Sequence, residues 1–192
     1  GVRVSDWGKA VDRARDVLRG KKVAALVGSD LTQEEAKLLL EIVPKMLPGS
    51  SLFQFGTPGV KTSADDVSVD QLLKRKSKTA NLHGLEKLGY KAWDGLPTGT
   101  DAIVVFRGGR ATLPDLRGLP AVGVGVFTRA QATQLEVVLP GAAFAEKDGT
   151  VVNFDGQEQR YRRAVVPPVG AKVLSEILMI WQNRGSASTG AA

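Results

Sequence analysis

The stretch "KVAALVGSDLTQEE", Lys22 to Glu35, decides the fold. Lys22 to Val27 is a short apolar run with the length and composition of a buried strand. Gly28-Ser29-Asp30 is a turn, and Leu31 to Glu35 opens a helix. Thr32 is its expected N-cap, with Glu35 at N3 in the capping-box arrangement. That helix turns Ala36, Leu39, Leu40 and Val43 inward, and Pro44 and Pro48 are expected to end it. A strand passing through a tight turn into a helix is the unit of an α/β fold, whose ligands bind beyond the carboxyl ends of strands. The Gly28-Ser29-Asp30 turn occupies that place. Neither a dinucleotide fingerprint nor a P-loop follows it, so helix capping is preferred here over phosphate binding.

The same alternation runs outward from this unit. Ser5 to Leu18 reads as an amphipathic helix capped by Ser5 or Asp6, with Trp7, Val11, Ala14 and Leu18 on one face and Gly20 as the stop. Ser51 to Phe55 reads as a strand, Gly56 to Asp70 as loop, and Asn81 to Leu88 as a short helix closed by Gly89. His83 in that helix reads as a surface or packing residue. "TDAIVVF" (Thr100–Phe106), "AVGVGVF" (Ala121–Phe127) and Glu136–Leu139 supply further apolar strands, and Ala171–Trp181 the last helix. Short apolar strands interleaved with helices predict a three-layer α/β fold, a mostly parallel sheet flanked by helices. A single domain over 1–182 is expected, with "GLPTG" at Gly95–Gly99 leaving two lobes, 1–94 and 100–182, as the alternative. Residues 183–192 read as a flexible tail.

Composition narrows the function classes. The 192 residues are 43% hydrophobic and 24% charged, enough to bury a core. With no cysteine and one histidine, the chain has no thiolate ligand and no multi-histidine metal set of its own, and no EF-hand spacing is present. No apolar run reaches the ~20 residues that span a bilayer. The N-terminus carries neither an initiator Met nor a signal-peptide core and reads as a processed or excised end. Net charge is +6, with basic clusters at Lys74-Arg75-Lys76-Ser77-Lys78, at Arg107 to Arg117, and at Arg160, Arg162 and Arg163. Aromatics, at 6%, do not interleave with them as single-strand binders require. A surface for an acidic partner is therefore preferred over nucleic acid.

The passage "VVLPGAAFAEKDGTVVNFDGQEQRYRR", Val137 to Arg163, follows no ordinary pattern. It begins as a strand, breaks at Pro140-Gly141, turns at Asp148-Gly149-Thr150 and Asp155-Gly156, and ends in arginines. Neither a hairpin nor a helix is expected across it. Gly149 and Gly156 can supply positive φ, Asn153 tolerates it next best, Glu146 can accept from turn amides, and Pro140 suits a strand end. Each of these roles is architectural.

On the same residues the chain resembles the molybdopterin oxidoreductase superfamily. Val137-Val138-Leu139-Pro140, Ala142, Glu146, Gly149-Thr150, Asn153, Gly156 and Gln159 fall where that superfamily places a V-V-L-P strand end, an A-x-x-x-E-x-x-G-T segment, then Asn, Gly and Gln. "VRVSDWGKAVDRARDVL" and "KTANLHGLEKLGY" resemble two further passages of the superfamily, in the version found in the large peripheral-arm component of NADH:quinone oxidoreductase, respiratory complex I. The resemblance implies a Rossmann-related fold. It also implies loops that meet a pterin cofactor, but Arg107-Gly108-Gly109-Arg110 stands where active members have a G-E-N-P-type loop. Arg129-Ala130-Gln131-Ala132 stands for a T-E-T-A-type segment, and only Ala132 matches. The superfamily's iron–sulfur cysteines are absent.

The resemblance therefore implies a cofactor-free domain in the peripheral arm of that complex, packed against its other subunits, with neither nucleic acid nor direct membrane insertion. Its expected place is cytoplasmic, peripheral to the inner membrane through the complex. No catalytic residue and no metal site are expected. The alternative is a small nucleotide- or pterin-binding module using Gly108, Gly109, Arg110 and Arg129. For an independent enzyme, Ser29, Asp30, His83, Glu146 and Asp148 are candidate bases or nucleophiles, but no pair has catalytic spacing.

Overall fold

A computed structural model of the protein describes residues 6–56 and 79–188. The element order is α1 (Trp7–Leu18), β1 (Val23–Gly28), α2 (Gln33–Met46), β2 (Ser51–Phe55), α3 (Leu82–Lys87), β3 (Lys91–Ala92) and β4 (Ala102–Arg107). There follow β5 (Ala121–Gly125), α4 (Arg129–Ala132), β6 (Val137–Pro140), β7 (Gly149–Val152), β8 (Glu158–Tyr161) and α5 (Leu174–Ser188). Six strands form one sheet in the order β3-β2-β1-β4-β5-β6, and every neighbouring pair is parallel. This is the α/β architecture that the alternating apolar strands and helices predict.

All residues of β1 and β4 are buried, as parallel strands covered on both faces must be. Their side chains alternate between two cores. Val23, Ala25, Val27, Val104 and Phe106 pack with Val11, Leu39, Leu85 and Ile177 from α1, α2, α3 and α5. Leu26, Ile103 and Val105 pack on the opposite face with Leu116 and Leu135, and with Phe53, Trp93, Leu96, Leu113 and Phe127. Burying each such aliphatic side chain contributes about 1.5–3 kcal/mol, so the sheet centre holds the molecule together.

Several local expectations are corrected. Pro44 lies inside α2 rather than ending it. In the last turn its missing N–H costs one bond, while Leu39, Ile42 and Val43 stay buried and the Leu47 amide still reaches the Val43 carbonyl at 2.8 Å. Residues 171–173 are not helical. Lys172 instead bridges to the end of β6, donating its amide to the Pro140 carbonyl and accepting from the Ala142 amide. At its other end α5 runs past Trp181 to Ser188, across residues expected to begin a flexible tail. Arg184 holds this extension on α1, its Nε donating to Asp12 Oδ1 at 3.0 Å. Gly95–Gly99 connects β3 to β4 within one sheet, and β1 and β4, from either side of it, pair directly.

The passage after β6 does contain a hairpin, β7 with β8, antiparallel in the register Val151↔Gln159. Turn chemistry hid it. The Asn153 side chain accepts from the amides of Asp155 (3.0 Å) and Gln157 (2.9 Å), closing a long turn instead of adopting positive φ itself. Gly156 does have φ 81°. Gly149 does not; a Cβ there would come within 2.3 Å of Thr32 Cγ2, so close approach to α2 is what requires glycine. Lys74–Lys78, residues 57–70 of the segment expected to be loop, and 189–192 lie outside the described residues.

Candidate functional site

β1 is the switch point of the sheet, because the chain leaves it toward β2 on one side and adds β4 on the other. Ligands of open α/β sheets bind in the crevice outside the carboxyl ends of such strands. Here that crevice is a cavity of about 430 Å³ lined by Asp30, Thr79, Ala80, Gly108 and Arg110, with Phe144, Val151 and Tyr161 closing it from the C-terminal part. Two of the residues singled out after β4, Gly108 and Arg110, are in its wall. Arg129 is not; it opens the four-residue α4 after β5, exposed to solvent.

The loop after β4 aims a set of backbone amides toward the crevice, and the protein fills that set itself. Asp30, 8% exposed, accepts from the amides of Gly108 (3.1 Å), Arg110 (2.5 Å) and Ala111 (2.8 Å). Successive amides of this kind form an anion-binding concavity, and the anion is the protein's own carboxylate. Arg107 completes the loop from below. Its Nε donates to the Ala111 carbonyl at 2.6 Å, a terminal nitrogen donates to the Val126 carbonyl, and the guanidinium lies 5.7 Å from the Phe127 ring centroid. Burial pushes its pKa down, and the Asp30 charge offsets part of that.

The second place where such folds hold anions, the N-terminus of the helix after β1, is likewise taken. The capping box forms as the spacing predicts, with Thr32 Oγ1 accepting from the Glu35 amide at 3.1 Å and Glu35 Oε2 from the Thr32 amide at 3.0 Å. Glu34 and Glu35 then put two carboxylates on the first turn. Both are used by the C-terminal segment. Glu34 accepts from the Thr150 amide (3.0 Å) and hydroxyl (2.7 Å), and Glu35 pairs with buried Lys147 at 2.6 Å. Burial pushes the Glu34 carboxyl up, but the hydrogen bonds from Thr150 and from the backbone outweigh it and hold the pKa below its ordinary value.

Asn81 ties the pieces together. Fully buried, it accepts at Oδ1 from Gln33 Nε2 (3.0 Å) and from the Val152 amide (2.8 Å), and donates from Nδ2 to the Leu31 carbonyl (2.8 Å). Thus α2, α3 and β7 share one polar junction. It lies in the segment "KTANLHGLEKLGY", yet a single Asn before a short helix gives no sign of a buried hub.

The candidate bases and nucleophiles are occupied structurally. Ser29 Oγ lies 2.9 Å from the Phe55 carbonyl and 2.8 Å from Thr79 Oγ1, and among the described residues no base is bonded to it. Glu146 accepts from the Ala143 amide (2.8 Å), and Asp148 from the Arg163 amide (2.7 Å). His83 is exposed and meets Glu86 at 2.8 Å. Among the described residues, no three metal-ligating side chains converge, and no helix is long and apolar enough to cross a membrane. Pro140 ends β6, Gln159 sits exposed in β8, and the Gly149–Thr150 and Asn153–Gly156 pieces build the hairpin. The Val137–Arg163 segment is thus bound to α2 at Thr150 and Lys147 and to Asn81 at Val152, as the shell of the crevice.

Residues 124–179 match the family model described as molybdopterin oxidoreductase, and in that segment the chain is similar to this family. No curated protein matches the sequence significantly. Among solved structures the chain is similar to one in the crystal structure of the formyltransferase/hydrolase complex from Methylorubrum extorquens in complex with methylofuran. The TM-score is 0.57 at 9% identity, covering 97% of this chain and 98% of that one. At that identity the likeness concerns the fold.

Proposed function

We propose that this chain, molybdopterin-oxidoreductase-like in its C-terminal segment, is a cofactor-free scaffold domain of the peripheral arm of NADH:quinone oxidoreductase. In that role it supports electron transfer from NADH to quinone without holding a redox centre, and its contacts are with the other peripheral-arm subunits. The assignment to that complex rests on the sequence resemblance. The absence of a cofactor role is supported by one observation above all, the Asp30 carboxylate seated in the amide loop Gly108–Ala111.

The residues present do not suit a phosphate-bearing pterin. A phosphate entering the crevice would meet a carboxylate where it needs amides, and two more, Glu34 and Glu35, on the helix that would otherwise attract it. Gly108 leaves little room for adjustment, since a Cβ there would lie 2.7 Å from the Asp30 carbonyl oxygen. The alternative, a small nucleotide- or pterin-binding module, requires Asp30 to leave that loop.

The test is a combined assay on the protein isolated from its host with its native partners. Molybdenum, tungsten and pterin absent at stoichiometric level on this chain, together with co-purification of NADH:quinone oxidoreductase subunits, support the proposal. Stoichiometric pterin on the chain, or isolation free of those subunits, would overturn it.

A further inference from the structure

At the opposite pole from the crevice, at the amino ends of the strands, a groove of about 490 Å³ opens where α1 ends, α2 ends and α5 passes. Its rim carries four cations, Arg15, Arg19, Lys21 and Lys22, and among the described residues its lining contains no carboxylate. Its floor and far wall are apolar: Leu18 and Trp181 are buried beneath, and Met46 and Leu47 are half-buried beside them. The acids nearest the rim only partly balance it. Asp16 pairs with Arg19 at 2.7 Å across two exposed side chains, Asp101 accepts from the Lys22 amide at 3.1 Å, and Asp12, already paired with Arg184, lies within electrostatic reach of Arg15 and Arg19. Lys22 Nζ is spent on the Thr98 carbonyl at 2.8 Å. Arg15 and Lys21 thus keep the rim positive.

We propose that this groove docks an acidic, amphipathic segment of a partner protein, with its carboxylates on Arg15, Arg19 and Lys21 and its apolar side chains against Met46 and Leu47. The inference is independent of the reading of the crevice. Charge complementarity names the sign of the partner. The apolar wall names its amphipathicity, because a purely anionic polymer would leave Met46 and Leu47 without contacts. A concave groove suits a protruding chain segment rather than a flat lipid surface. Trp181, at 4% exposure, offers no face for stacking bases.

The test is fluorescence polarisation on the full chain with a labelled helical peptide of Glu and Leu. Arg15→Glu combined with Lys21→Glu should weaken binding by about tenfold or more. Arg160→Glu with Arg162→Glu makes the same change in net charge on β8 and just beyond it, and should leave affinity within about twofold. Circular dichroism establishes that both variants are folded. Equal loss in the two variants, no loss in the groove variant, or equal affinity for polyglutamate would each overturn the proposal. So would tighter binding to anionic phospholipid vesicles than to the peptide.

Discussion

Replacing Asp30 by Ala tests whether the carboxylate is structurally required in the loop after β4. The side chain accepts three backbone hydrogen bonds, at 2.5, 2.8 and 3.1 Å. Two of the donors, the Gly108 and Ala111 amides, are in buried settings. Stranding a buried donor costs about 1–3 kcal/mol, and hydrogen bonds to a charged acceptor contribute about 1.5–3 kcal/mol each. Water entering from the crevice recovers part of this, so a loss of about 3 kcal/mol is expected. Asp30→Asn keeps one oxygen but turns an NH₂ toward at least one donor, for a loss of about 2 kcal/mol. Urea unfolding followed by circular dichroism measures both. A second readout is specific to the amide loop: phosphate or sulfate should stabilise Asp30→Ala more than the parent, by mass action on the vacated site. If Asp30→Ala unfolds within about 1 kcal/mol of the parent, or anions stabilise both proteins equally, the reasoning fails.

Other consequences follow from the polar junction and the titrating groups. In Gly84→Ala the new Cβ would lie 1.7 Å from Gln33 Nε2 and 2.1 Å from Asn81 Oδ1. The variant should lose about 2–3 kcal/mol as Asn81 is displaced, with faster hydrogen exchange at the Val152 amide. Glu34 has a folded pKa below its ordinary 4.5, so its contribution is present above that pH and lost as pH falls through the folded value. Glu34→Gln should flatten the acid limb of a stability–pH curve and slightly ease its alkaline decline, because the Glu34 charge helps to raise Tyr161. Burial first, then the carboxylates Glu35, Glu34 and Asp148, push Tyr161 up to about 12, and burial alone raises Tyr90 further. These are the only two tyrosines. Tyrosinate absorbance should therefore be delayed past pH 10 in the folded protein. A raised folded pKa also means that stability declines as pH rises from about 10 toward 12. Arg184→Ala should remove helical signal from the end of α5 while the thermal midpoint moves little, because the Asp12 contact is exposed.

The elements whose formation depends on local chemistry were readable from residue order. "KVAALV" and "AIVVF" are continuous apolar runs because parallel strands are buried on both faces. Thr32 with Glu35 marks a helix start by hydrogen bonds between near neighbours in the chain, and Gly89 a helix end by its positive φ. The architectural roles given to Pro140, Glu146 and Gly156 are local in the same sense. The failures were those where a distant group decides. Pro44 is accommodated in α2 because the core holds that helix in place, and α5 outruns its apolar pattern because Arg184 meets Asp12, far back in the chain. The β7–β8 hairpin escaped notice because its strands are short and its turn is closed by a side chain. Gly149 is required by Thr32 across an interface, which no local φ preference can show. The site divides along the same line. Sequence could place Asp30 and the Gly108–Gly109 loop after strands, where ligands bind, with helix capping preferred at the first and a binding module only the alternative at the second. Only the parallel pairing of β1 with β4 brings the carboxylate onto the loop's amides. Hydrogen-bond donors and acceptors so far apart in the chain become one closed unit only when tertiary packing sets their distance.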